Sequence, residues 1–135
     1  MRVLVDTNVL VYDTIEDSEY HSDASAIIDN ATELVIPSIV VHEYVWVLAR
    51  RLAVSLNLIS MKLREYLEDP RVKYLLEDLG IYERAFKMMI EDGASAAEMN
   101  DYIILSTAIN ERAALATFDR DLAKRAVKRG IRVMP

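Results

Sequence analysis

The sequence predicts a single α/β domain, residues 1–135, with a mainly parallel sheet covered on both faces by helices. Short, continuously apolar runs recur along the chain: Val3-Leu4-Val5, Leu34-Val35-Ile36 and Leu115-Ala116-Thr117-Phe118. Such runs are expected of strands buried on both faces. Longer segments with apolar residues at helical spacing separate them, and this alternation is the signature of crossover units. A chain of 135 residues, 53% hydrophobic and 28% charged, fits one folded domain with a real core.

Arg2 to Asp6 reads as the first buried strand. Asn8 and the stretch Asp13 to Ser18 supply turn residues. A helix is expected from about Ser18 to Asn30, with Ala24, Ile27 and Ile28 inward. Leu34 to Ile36 is a second strand, stopped by Pro37. Ser38 is the expected N-cap of a helix reaching about Leu52. Ser55 to Glu68 reads as another helix, with Leu56, Ile59, Leu63 and Leu67 at helical spacing. Val72 to Leu76 fits a strand or a short helix equally well. Gly80 opens a helix through about Glu91, closed by Gly93. Ser95-Ala96-Ala97-Glu98 matches a capping box and starts a helix that carries Asp101. Leu115 to Phe118 is a strand, Asp121 to Arg129 a helix capped by Gly130, and Ile131 to Val133 a last strand. Asp121 is the expected N-cap of that helix.

The composition narrows the chemistry. There are no cysteines, which removes disulfides, thiolate zinc sites and cysteine nucleophiles. With only His21 and His42, a metal must rely on oxygen ligands. Glycine occurs only at 80, 93 and 130, so no glycine-rich phosphate loop exists. No stretch approaches a membrane span, and an acid at position 6 does not suit a signal peptide, so a cytoplasmic location is expected. Net charge is −6, but Arg112 to Pro135 holds seven basic residues and two acids. That basic end places cations near a polyanion. It equally suits a solvated helix face with Lys and Arg near its C-terminus.

Four acids stand inside or beside apolar runs: Asp6, Glu43, Asp101 and Asp119. An ionised carboxylate in apolar surroundings is costly unless paired or bound to a metal. Glu43 shares a helix face with Ile39, Val40, Trp46 and Val47, and Asp101 with Ile104, Leu105 and Ala108. Asp6 and Asp119 follow strands, where open parallel sheets place their sites. Converging there, the four would repel one another and demand a cation. Carboxylate-rich oxygen sites suit Mg²⁺ or Mn²⁺, which support phosphodiester hydrolysis. Singly, each acid has an ordinary structural role as well: turn former, partner of a distant Arg, or helix-dipole neighbour. Trp46 is expected in the core. Tyr44 and Tyr102 suit either the core or a groove.

The motifs carry a resemblance. RVLVDTNVLVY, PSIVVHEYVWVL, NDYIILSTA and LATFDRDL, in that order and spacing, resemble the acidic motifs of the PIN-domain ribonucleases, and specifically the VapC-type toxins. The resemblance covers essentially the whole chain and implies a three-layer α/β/α sandwich around a central parallel sheet. It implies Mg²⁺- or Mn²⁺-dependent cleavage of single-stranded RNA, a homodimer, and inhibition by a small VapB-type antitoxin. It assigns catalysis and metal binding to Asp6, Glu43, Asp101 and Asp119, with Asn8, Thr117 and Asp121 in support. Asp6 and Asp101 are the principal ligands in this reading. Basic Arg120, Lys124 and Arg125 are candidates for holding the RNA backbone. The segment from Ala53 to Gly93 matches no motif and is a candidate dimer, RNA or antitoxin surface. Three other readings remain: an RNA-processing nuclease without antitoxin, a non-catalytic PIN-like scaffold, and a haloacid-dehalogenase-like phosphatase. The last wants an aspartate where Asn8 stands.

Overall fold

The computed structural model describes residues 1–135. Five strands form one parallel sheet: β1 Arg2–Val5, β2 Glu33–Pro37, β3 Val72–Leu75, β4 Ala114–Ala116 and β5 Val133–Met134. Their order across the sheet is β3-β2-β1-β4-β5. Leu4 lies at the centre, paired in register with Val35 on one side and Leu115 on the other, all three fully buried. Apolar side chains on both faces of these strands are what hold the sheet between helices.

Seven α-helices connect the strands: α1 Thr7–Thr14, α2 His21–Asn30, α3 Ser38–Trp46, α4 Leu56–Glu68, α5 Leu79–Asp92, α6 Met99–Glu111 and α7 Arg120–Lys128. A single π turn, Val47–Arg51, extends α3, and a 3₁₀ turn, Ala96–Glu98, precedes α6. Helix α1 packs on α2 and α3, and α5 packs on α6. The chain runs from β1 through β2 to β3 in one direction and returns past β1 to β4 and β5, and crossovers of the usual right hand then place the helices of the two runs on opposite faces of the sheet. The expected α/β/α sandwich is therefore the observed fold. No helix is long and apolar enough to cross a membrane.

Several expectations change. Residues 7–14, where the sequence offers only turn residues at Asn8 and from Asp13, form α1, because Asp6 caps it and Val9, Leu10 and Val11 bury their side chains. Burial of that face overrides the poor helix propensity of its β-branched residues. Ser38 is the first residue of α3 and not its cap; its hydroxyl donates to Glu77, and Pro37 holds the cap position. Trp46 is not core but 47% exposed. The helix does not run unbroken to Leu52, since the π turn replaces its end. In α4 only Ile59 is buried, and Leu56 lies open. The undecided segment from Val72 is strand β3. The fourth strand ends at Ala116, and the last is Val133–Met134. Asp119, not Asp121, caps α7, accepting from the amides of Asp121 and Leu122. Tyr44 and Tyr102 are both core. The inward face of α2 at Ala24, Ile27 and Ile28, the Ser95–Glu98 capping box and the left-handed Gly93 stand as read, although α2 begins at His21 and not at Ser18.

Candidate functional site

Because β2 and β4 flank β1 on opposite sides, the strand order reverses at β1. The crevice beyond the C-terminal ends of β1 and β4 is where such sheets bind ligands. Asp6 leaves β1 and Thr117 leaves β4 at that crevice. A cleft of about 320 Å³ opens there, lined by Asp6, Thr7, Asn8, Val11, Tyr12, Glu43, Val47, Arg51, Asp101 and Asp119.

Asp6 is 7% exposed, and every hydrogen bond it accepts comes from a neutral group. The Thr7 amide donates to Oδ1 at 2.8 Å. The Thr117 hydroxyl and the Asn8 amide donate to Oδ2 at 2.7 and 3.2 Å. Burial pushes its pKa up to about 6, and repulsion from Glu43 and Asp119 adds to this; the Thr117 and Thr7 bonds oppose it. Asp101, in the first turn of α6, is also pushed up to about 6, first by burial and then by Asp6 and Asp119. Its opposing cation is Arg125, whose Nη1 lies 3.2 Å from Oδ2. Burial raises the pKa of Glu43 as well. Its carboxylate accepts from Asn100 at 3.0 Å and from the Thr7 hydroxyl at 3.4 Å. Asp119 is exposed at the rim, where Oδ1 caps α7, while its own amide donates to the Thr117 hydroxyl.

The structure thus brings Asp6, Glu43, Asp101 and Asp119 to one cleft, with Asn8 on its wall and Thr117 buried behind Asp6. Asn8 works in both directions, since its carbonyl oxygen accepts from the Phe118 amide. Asp121 is exposed in the first turn of α7 and does not line the cleft. Arg120 and Lys124 are exposed and also lie outside the lining. Arg125 is turned inward, donating to Glu98 at 2.8 Å as well as to Asp101. Two residues of the site escape sequence reasoning. Asn100 adjoins Asp101 and carries a weak signal for that reason. Arg51 carries none, because its place in the cleft depends on the π turn.

The donor set fits a hard divalent ion. The ligand atoms are oxygens, the charge on Asp6 has no cation beside it, and imidazole is absent from the lining. No three acidic side chains stand close enough to enclose an ion by themselves. Mg²⁺ tolerates this, since it keeps several waters and takes one or two carboxylates directly.

The sequence profile of the PIN domain matches residues 3–128. No curated relative matches the sequence. Among solved structures, VapC20 of Mycobacterium tuberculosis, a toxin that cleaves the sarcin–ricin loop, superposes with a TM-score of 0.77 at 14% identity, covering 90% of this chain and 93% of that one. VapBC2 of Rickettsia felis, bound to a fragment of its promoter DNA, gives 0.69 at 21% identity, covering 99% and 98%. A toxin–antitoxin complex from Klebsiella pneumoniae gives 0.62 at 24% identity, covering 90% of each. At these identities the likeness is one of fold. With the profile spanning nearly all of the sheet and its acid cleft, the chain belongs to the PIN domain family.

Proposed function

We propose that this chain is a Mg²⁺- or Mn²⁺-dependent endoribonuclease that cleaves single-stranded RNA, and the toxin of a VapBC-type pair. The observation that carries the reading is Asp6: a buried carboxylate without a cation, facing three further acids across one cleft. That arrangement is costly in an empty site and useful around a divalent ion. The ion, when bound, supplies Lewis-acid activation of water and of the phosphoryl oxygen.

Asp6 and Asp101 would be the principal residues holding the ion, with Asp119 and Glu43 completing the site directly or through water. Thr117 and Asn8 fix the orientation of Asp6, while Thr7 and Asn100 hold Glu43. Glu43, with its raised pKa, takes the proton lost by the attacking water. Arg125 restrains Asp101 and limits its repulsion with Asp6. Asn8 donates to Asp6 where a dehalogenase-like phosphatase needs a second acid, so the phosphatase reading loses support. Among the structural neighbours, VapC20 is a sarcin–ricin-loop-cleaving toxin and the Klebsiella pneumoniae structure a toxin–antitoxin complex, which supports RNA as substrate and a small antitoxin as partner. The homodimer and the cytoplasmic location belong to the same reading.

The test is cleavage of defined single-stranded RNAs, wild type against Asp101→Asn. Cutting by the wild type with Mg²⁺ or Mn²⁺, and none by the variant, is the expected result. Equal cutting by the two proteins removes the assignment.

A further inference from the structure

The sole tryptophan of the chain, Trp46, is 47% exposed on a helix whose neighbouring residues Tyr44 and Leu48 are fully buried. The Arg51 guanidinium lies over its ring, 5.3 Å from the centroid. On an α-helix, residues five apart sit about 140° apart around the axis and do not meet. The π turn changes this. Its wider winding, closed by the Leu52 amide on the Val47 carbonyl at 3.2 Å, brings Arg51 round to the face of Trp46.

Trp46 and Arg51 line a hollow of about 420 Å³ with His42, Glu43, Val47 and Asn100. Glu43, Val47 and Arg51 also line the acid cleft, so the two spaces adjoin and share a wall. Arg51 is the one basic residue on the cleft wall. It forms no ion pair and donates no hydrogen bond within the chain, whereas Arg125 is committed to Asp101 and Glu98. An acid cleft in a chain of net charge −6 repels a polyanion. A free guanidinium at its edge is the group that offsets this, and an exposed indole beside it offers a π face to any unstacked base.

We infer that Trp46 and Arg51 form a nucleotide subsite beside the acid cleft, where one base of a single-stranded RNA stacks on the indole and its phosphate meets the guanidinium. The subsite selects single strands, because a paired base cannot reach the ring. It rests on the ribonuclease reading for the identity of the strand, but not for its own chemistry. The preference is set by stacking and charge, so it tolerates different bases.

Trp46 is its own probe, since no other tryptophan contributes emission. A short single-stranded oligoribonucleotide, titrated into the full chain in EDTA, quenches Trp46 fluorescence saturably, and the same sequence as a duplex does not. In metal-supported cleavage, Trp46→Ala raises KM about tenfold with kcat little changed, and Trp46→Phe recovers most of the loss. Arg51→Ala raises KM and flattens the salt dependence of binding, by removing one phosphate contact. RNA that is bound, by anisotropy of a labelled strand, and cut while Trp46 emission and the Trp46→Ala KM stay unchanged overturns the subsite and leaves the ribonuclease reading intact. Quenching without cleavage supports the subsite and removes the ribonuclease. RNA that neither binds nor is cut overturns both. Quenching by peptides and not by RNA also overturns it, and makes this face a protein-docking surface.

Discussion

Asp6 concentrates the electrostatic cost of this fold. Its pKa of about 6 lies above the ordinary carboxylate value, so the native state holds more protons than the unfolded chain between about pH 4 and 6. Stability of the metal-free protein therefore falls as pH rises through that window, by on the order of 2–3 kcal/mol from this group. Asp92 acts in the opposite sense at lower pH. The Tyr102 hydroxyl, with Arg129 and Lys128, holds it down to about 2, and that contribution is lost as pH falls from about 4 to 2. Thermal melts without metal should thus show Asp6→Asn more stable than wild type at neutral pH, with the difference vanishing near pH 4. Mg²⁺ should raise the wild-type Tm and leave the variant's nearly unmoved, and the gain should grow as pH rises through about 6. A wild type that gains stability from pH 4 to 7 without metal, relative to the variant, contradicts this account. Thr117 offers a second check. Its hydroxyl donates to Asp6 and accepts from the Asp119 amide, both in a buried setting. Thr117→Val should cost about 1–3 kcal/mol in denaturant unfolding and lower cleavage, with Thr117→Ser close to wild type.

Most helix starts owe their position to a few local groups, α2 and α3 being the exceptions without a side-chain cap. Asp6, Ser55, Asp78 and Asp119 all cap helices through their side chains, and Ser95 with Glu98 closes a capping box. The box and the glycine at 93 were legible because their geometry is written in adjacent residues. Gly93 has φ +62° and open space where a Cβ would stand, so an alanine there meets no neighbour and costs only backbone strain. Gly93→Ala should destabilise by about 1 kcal/mol, measured by chemical denaturation, without altering cleavage. Helix α1 was not legible. Val9, Leu10 and Val11 stand between the turn residues Asn8 and Asp13 with no helical signal of their own, and burial against α2 and α3 makes them helical. The π turn was equally hidden. Nothing in Val47–Arg51 distinguishes it from the end of an α-helix, yet its winding carries Arg51 to the face of Trp46 and to the cleft.

Across the whole fold, the switch point between β1 and β4 gathers acids from four separate elements. If the gathered site is a toxin's, expression of the chain should arrest growth, Asp101→Asn should relieve the arrest, and co-expression of a small protein encoded beside it should do the same. Unimpaired growth with soluble wild-type protein speaks for an RNA-processing role instead. The alternation of strands and helices, the capping box and the Gly93 stop, and the four acids can all be read along the chain, because apolar period, caps and misplaced charge are local signals. What surrounds those acids is settled in three dimensions. Thr117 meets Asp6 across 111 positions of the chain, Asn100 meets Glu43 across 57, and Arg125 meets Asp101 across 24. Such partners are chosen by strand order and helix packing, and no local pattern of residues encodes them.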